Sequence, residues 1–346
     1  MPSKTSTDIH KSFQQDGFVG PLDILTAQEA HDALLEVQNE LSNLNASRFK
    51  LHLILPSISR IAHHPTLVEA VKSALACDDI LLWSSDINIK EPKSAGFYAP
   101  HQDATYAGLF PSSGVLTAWV ALSHPVGERE GCLSFYPASH KLRQLPHFNE
   151  TNGDNLLVLG QYIGDDVVQT LNKPIPIELT AGQATLHSFD CVHASAPNRS
   201  DNPRVGLALR YMTANVIQTK PVREMVTLIC GDRDSRTLPF DFEPRLPDCP
   251  SLNDIRRGRE VHADALRKES SNYFNNDDTN NFVTRANLHA EPILCVLPSI
   301  EDIQTGREAQ KSIREISNKL VWRRIKNINV INNFSDCARV TNDIIL

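Results

Sequence analysis

From Ile80 to Met212 the chain repeatedly alternates apolar with polar residues in short runs, and this pattern most restricts its fold. The runs are DILLWSSDINIK (79–90), VLTAWVALS (115–123), CLSFY (132–136), QATLHSF (183–189) and VGLALRYM (205–212). A period of two is the signature of strands with two unlike faces. Gly- and Pro-bearing breaks separate the runs: PSSG at 111–114, GEREG at 127–131 and TAG at 180–182. Many short strands at this spacing predict a barrel or a double sheet. Helical patterning precedes them. Residues 8–45 carry Phe13, Phe18, Ala27, Ala30, Leu34, Leu35, Val37 and Leu41 near the helical period. Thr26 and Glu29 are spaced as a capping box, and 65–77 predicts a second amphipathic helix opened by Pro65. The expected class is mainly β with flanking helices.

Past about residue 270 the pattern changes. NNDDTNN (275–281) is too polar to bury a core, and a helical period returns over 300–330 with Ile303, Ile313, Ile316, Leu320, Val321 and Ile325. The expected organisation is one principal domain over 1–270 and an atypical polar linker with a helical tail over 271–346. There are no internal repeats.

Composition removes several function classes. A formal charge of -7 over 346 residues gives no basic field for nucleic acid or anionic lipid. Seven scattered cysteines, none in a CxxC pair, argue against a disulfide framework and a thiolate zinc site. The N-terminus lacks a signal-peptide apolar run, and no stretch is long enough to span a bilayer. A cytoplasmic location and a small-molecule partner are the expectation, with no nucleic acid or membrane. The oligomeric state is left open.

The chemistry centres on His101-Gln102-Asp103 and, far downstream, His193. Residues i and i+2 of a strand point to one side, so His101 and Asp103 can hold one metal ion from a single strand end. A histidine from another strand completes a 2-His-1-carboxylate face with open positions, which suits Fe(II) that must also bind a cosubstrate and O₂. The same donors can hold Zn²⁺, and an HxD pair alone is common. His187 is a rival ligand, read here as a strand residue behind the metal site. His63 and His64, just ahead of a helix, are expected to be solvated. Arg204 follows in SDNPR, where its neighbours would equally suit a surface turn. Ser195 would equally suit a turn hydroxyl bonded to local backbone. Trp119 reads first as barrel packing.

Taken together, FQQDGFVGPLDILTAQE, HQDATYAGL, TAWVALS, EGCLSFYPASHK and VHASAPNRSDNPRVGLALRY resemble the phytanoyl-CoA dioxygenase family of Fe(II)/2-oxoglutarate oxygenases, over roughly residues 8–270. The resemblance implies a double-stranded β-helix (jelly-roll, cupin-like) core and iron ligands His101, Asp103 and His193. It implies that Arg204 pairs with the far carboxylate of 2-oxoglutarate, with Ser195 and Asn88 also contacting the cosubstrate. Lys90, Tyr98, Thr105, Tyr106 and Trp119 fall where relatives place substrate-facing residues. The implied activity oxidises a small metabolite, with O₂ consumed and succinate and CO₂ released. Hydroxylation is the expected outcome, because Asp103 stands where halogenating relatives carry a small residue. Desaturation, ring closure, a zinc site and a non-catalytic jelly roll are the alternatives.

Overall fold

Helix α1 (Ser6–Asp16) opens on a capping box between Thr5 and Asp8 and closes on Gly17, whose φ of 84° suits glycine. The computed structural model describes residues 5–44, 48–150, 153–219, 224–231 and 240–274. After Gly17 the chain enters strand β1 (Phe18–Asp23), then helix α2 (Ala27–Leu44). The unbroken helical reading of 8–45 therefore fails in its middle. Phe13 and Phe18 are both buried, but on different elements. A helical spacing across Gly17 arises because each residue faces apolar surroundings, not because one helix carries both. The capping box at Thr26 does form: Glu29 N–H donates to Thr26 Oγ1 at 3.2 Å, and Thr26 N–H donates to Glu29 Oε2 at 2.8 Å. Helices α3 (Pro56–Ala62) and α4 (Pro65–Leu75) follow, each with proline in its first turn. His63 and His64 between them are half-buried, not solvated.

The remaining elements are β2 (Ile80–Lys90), β3 (Tyr98–His101), α5 (Ala104–Ala107), β4 (Leu109–Phe110), β5 (Val115–Ala121), β6 (Leu133–Phe135), β7 (Phe148–Asn149) and β8 (Gln161–Tyr162). Then come α6 (Asp165–Val168), β9 (Ile175–Ile177), β10 (Gln183–Ser188), β11 (His193–Ser195), β12 (Arg204–Thr213), β13 (Ile217–Gln218), β14 (Met225–Cys230), β15 (Asp241–Phe242) and α7 (Leu252–Phe274). Of the expected linker and tail over 271–346, residues 271–274 are the end of helix α7, which crosses the expected boundary, and the rest lies outside the described residues.

A seven-stranded sheet runs β1-β10-β5-β12-β2-β14-β15, and a four-stranded sheet runs β3-β11-β6-β9. Apart from β14 and β15, neighbours in these two sheets are not consecutive in sequence, the double-stranded β-helix arrangement expected above. The larger sheet has two different faces. Ile87, Leu116, Ala118, Val120, Leu186, Val205, Leu207 and Leu209 pack outward on residues of α1 to α4 such as Phe13, Val37, Ile58 and Leu67. Each buried Val, Leu, Ile or Phe side chain among them contributes about 1.5–3 kcal/mol. The opposite face meets the smaller sheet through Phe18, Trp119 and Ala208 against Leu133 and Phe135. A register shift between Arg210 and Tyr211 changes parity locally. Beyond it Leu81 and Met212 join a separate cluster with Trp83 and Phe189. No helix among the described residues is long and apolar enough to cross a membrane.

Candidate metal centre and anion pocket

Strands β3 and β11 pair so that His101 stands directly opposite His193. Their rings lie 4.2 Å apart between centroids. Each ring has its Nδ1 occupied by a nearby carbonyl: His101 Nδ1 by Ala99 O at 2.7 Å, and His193 Nδ1 by Cys191 O at 3.0 Å. A carbonyl only accepts, so both Nδ1 atoms carry the proton and both Nε2 lone pairs are free. Asp103 joins them. The donor atoms of His101, Asp103 and His193 lie within 4.8 Å of one another, all three residues buried. Burial lowers the pKa of both histidines, strongly for His193, which keeps them neutral and able to ligate. This donor set fits a divalent metal on chemistry alone.

Asp103 is not on the strand itself. Its backbone is helical (φ -62°, ψ -28°), two residues past the end of β3. Gln102, between the two candidate ligands, points away and is fully bound: its Nε2 donates to Arg143 O and Asp190 O, and its Oε1 accepts from Leu145 N–H. That clamp fixes the turn. The Asp103 side chain is then aimed by a row of residues on three adjacent strands of the larger sheet. Thr117 on β5 pairs with His187 on β10 and with Arg210 on β12. Thr117 Oγ1 donates to Asp103 Oδ2 at 2.6 Å, His187 Nε2 stands 3.7 Å from that oxygen and Arg210 Nε 4.0 Å. The other oxygen, Oδ1, is left on the side of His101 Nε2, 3.8 Å away. Burial opposes the Asp103 charge, but His187, His193 and His101 around it outweigh burial and hold its pKa below the ordinary value.

The same cavity has a second, differently built end. Its lining includes Asn88, Tyr98, Trp119 and Arg204 beside the three metal-type residues. Arg204 is fully buried. Its Nη1 donates to Gly131 O at 2.9 Å and Ser195 Oγ at 3.1 Å, while Nε and Nη2 find no partner among the described residues. Burial pulls this guanidinium down to about 10. Trp119 supports it, with the guanidinium carbon 4.9 Å from the indole. The indole lies across Gly206, where a Cβ would come 1.8 Å from Cζ2, so only glycine admits it. Trp119 Nε1 donates to Asn88 Oδ1 at 3.2 Å. A buried, charged fork with two vacant donors, in a cavity that also holds a His-Asp-His donor set, suits a carboxylate.

The structure thus brings together His101, Asp103, His193, Arg204, Ser195, Asn88, Tyr98 and Trp119. It does not bring Lys90 or Thr105 to the cavity wall. Lys90 is buried behind Ser195, and Thr105 is exposed and bonded to Gln102 O at 2.9 Å. The Tyr106 side chain lies outside the described residues. Sequence reading missed Thr117; Arg210 also lines the cavity, with its guanidinium paired to Asp86. The signal was available: Thr117 shares a strand face with Trp119, and Arg210 shares one with Arg204.

Fold and cavity define an oxygenase-type jelly roll, and the sequence comparisons agree. The chain matches the phytanoyl-CoA dioxygenase (PhyH) family over residues 13–206. It belongs to that family. It is 32% identical over 162 residues to phytanoyl-CoA dioxygenase domain-containing protein 1 of Danio rerio, covering 47% of this chain and 55% of the relative. The chain spans about half the length of the curated relatives it matches. The solved apo structure of the non-heme monooxygenase ThoJ is similar, with a TM-score of 0.65 and 28% identity, covering 78% of this chain and 100% of that one. The ThoJ–nickel complex superposes with a TM-score of 0.60 at 27% identity, covering 77% of this chain and 100% of that one.

Proposed function

We propose that the protein is a 2-oxoglutarate-dependent non-heme iron oxygenase that hydroxylates a small molecule. One observation carries this reading: a buried His-Asp-His set with free Nε2 atoms shares a cavity with a buried arginine that has two vacant donors. His101 Nε2, His193 Nε2 and an Asp103 oxygen would hold Fe(II), and Arg204 would take the far carboxylate of 2-oxoglutarate. Iron, O₂ and 2-oxoglutarate together would supply the oxidising power, with succinate and CO₂ released. The chain's own residues do the rest. Thr117 aims the Asp103 carboxylate, Trp119 and Asn88 brace the arginine end, and Leu133 and Phe135 keep water from the buried imidazoles. A zinc hydrolase site would leave the vacant donors of Arg204 without a use. We assign this activity to residues 1–270, because the family match and every site residue fall within them.

Anaerobic addition of Fe(II) and 2-oxoglutarate, followed by visible absorption, tests the reading. A weak charge-transfer band that needs both components is expected, and it should vanish in His101→Ala and His193→Ala. A spectrum that stays flat with both components present would overturn it.

A further inference from the structure

Strands β2 and β12 place Lys90 directly opposite Arg204. Both side chains turn to the hydroxyl of Ser195: Lys90 Nζ donates to Oγ at 2.6 Å and Arg204 Nη1 at 3.1 Å. That hydroxyl spends its own hydrogen on Gly131 O at 2.7 Å. Ser195 is therefore saturated, and it ties the two cations together. Lys90 and Arg204 are 1% and 0% exposed. Buried charges are ordinarily met by opposite ones, yet among the described residues no carboxylate pairs with either of these. The groups facing Lys90 are Arg204 on β12, the Tyr98 ring of β3 at 5.3 Å, Cys132 ahead of β6, and the carbonyls of Ser195 and Ala196. Burial raises the Tyr98 and Cys132 pKa values, keeping both neutral.

The amine is caught between two demands. Three oxygens, Ser195 O, Ser195 Oγ and Ala196 O, surround it. They match the three donors of an ammonium, whereas a neutral amine would turn its lone pair on an oxygen. Against this, burial first and Arg204 second pull Lys90 down to about 6. An empty pocket with two adjacent buried cations is costly, and an anion on the vacant donors of Arg204 removes that cost.

We infer that Lys90 is the second cation of the site for the cosubstrate's far carboxylate, and that it takes up a proton from solvent when that carboxylate binds. This rests on the cosubstrate reading of Arg204 given above. By linkage, affinity for a ligand that binds with proton uptake falls as pH rises above the free-state pKa. A 2-oxoacid without a far carboxylate gains nothing from Lys90 and should bind without that proton.

The test is anaerobic titration calorimetry of the Fe(II)-loaded protein at about pH 7.5, in buffers of unlike ionisation enthalpy. The wild-type protein should take up about one proton more with 2-oxoglutarate than with 2-oxopentanoate. Its 2-oxoglutarate affinity should fall with rising pH, by about tenfold per unit at most. Lys90→Arg, which cannot lose its charge, should bind 2-oxoglutarate without the extra proton and with a flat pH profile. Equal proton uptake for the two oxoacids overturns the inference, as does uptake that persists in Lys90→Arg. The wild-type comparison stands even if that variant folds poorly. If 2-oxoglutarate does not bind, or Arg204→Met leaves its affinity unchanged, the cosubstrate reading itself falls and takes the Lys90 role with it.

Discussion

Strand β2 carries a buried charge cluster on each of its faces, and the two are built on opposite rules. On the helix-covered face, Lys50 pairs with Glu243, His52 Nε2 lies 3.1 Å from Glu243 Oε2, and Thr227 Oγ1 donates to Oε2 at 2.8 Å. His52 Nδ1 is 2.7 Å from Ser85 Oγ, and Lys50 Nζ also donates to Met225 O at 2.7 Å. One cation meets one anion, and the surrounding polar atoms are occupied. On the cavity face, Lys90 and Arg204 meet at Ser195 with no acid among the described residues, and Arg204 keeps two vacant donors. Balance marks the first cluster as a clamp that holds β15 and the Lys50 turn to the sheet. Imbalance marks the second as a place for an anion that the chain does not supply. Buried charge alone tells little about role; the charge sum and the vacant donors separate a staple from a site.

This contrast would break first at Glu243. Glu243→Ala leaves Lys50 and His52 buried without their acid and should cost about 3–5 kcal/mol of stability, read by denaturant unfolding. Burial opposes the Glu243 charge, but Lys50 and His52 outweigh it and hold the carboxyl below its ordinary 4.5. Its folded pKa is depressed, so the stabilisation is complete above pH 4.5 and fades as pH falls through the folded value. Glu243→Gln should flatten that acid limb. A stability loss below about 1 kcal/mol would show that the clamp is not one.

Arg204→Met is the mirror experiment. It should leave the melting temperature unchanged or raised, while 2-oxoglutarate binding weakens by about 2–5 kcal/mol with metal still bound. A protein that instead unfolds, with normal affinity in its folded fraction, would make the two clusters alike.

Smaller effects sharpen the other end of the cavity. Thr117→Val removes the donor that fixes Asp103 and should weaken metal binding by about 10–100-fold. His187→Ala should fall in or below that range and keep measurable turnover. If His187→Ala loses the metal while His193→Ala retains it, the ligand assignment is reversed. The smallest effect is expected from ending the chain after α7, near residue 275. Helix α7 reaches back through Arg259 to Glu40 at 3.1 Å and His262 to Phe49 O at 2.9 Å. The shortened chain should therefore bind metal as the full chain does, measured by metal titration. A metal-free or insoluble product would give the tail a structural role.

Much of this protein could be read from sequence because the relevant information is local. Alternation over 79–90, 115–123 and 205–212 predicted β2, β5 and β12, and the same period puts Arg204, Gly206, Ala208 and Arg210 on one face. The HQD triplet, His193 and Arg204 marked the candidate metal and anion ends through residue type and order. Tertiary structure decided what depends on which strands become neighbours. It inserted β1 into a stretch with helical spacing, because β10 offered an edge for Phe18 and Val19 to pair with. The β3–β11 register set His101 against His193, and a row across β10, β5 and β12 aimed Asp103. Lys90 was moved from an expected substrate contact to a buried partner of Ser195 and Arg204. Periodicity and turn chemistry act over a few residues and are written in them. Register, burial and charge balance are sums over residues far apart in the chain, and packing alone selects which of those sums form.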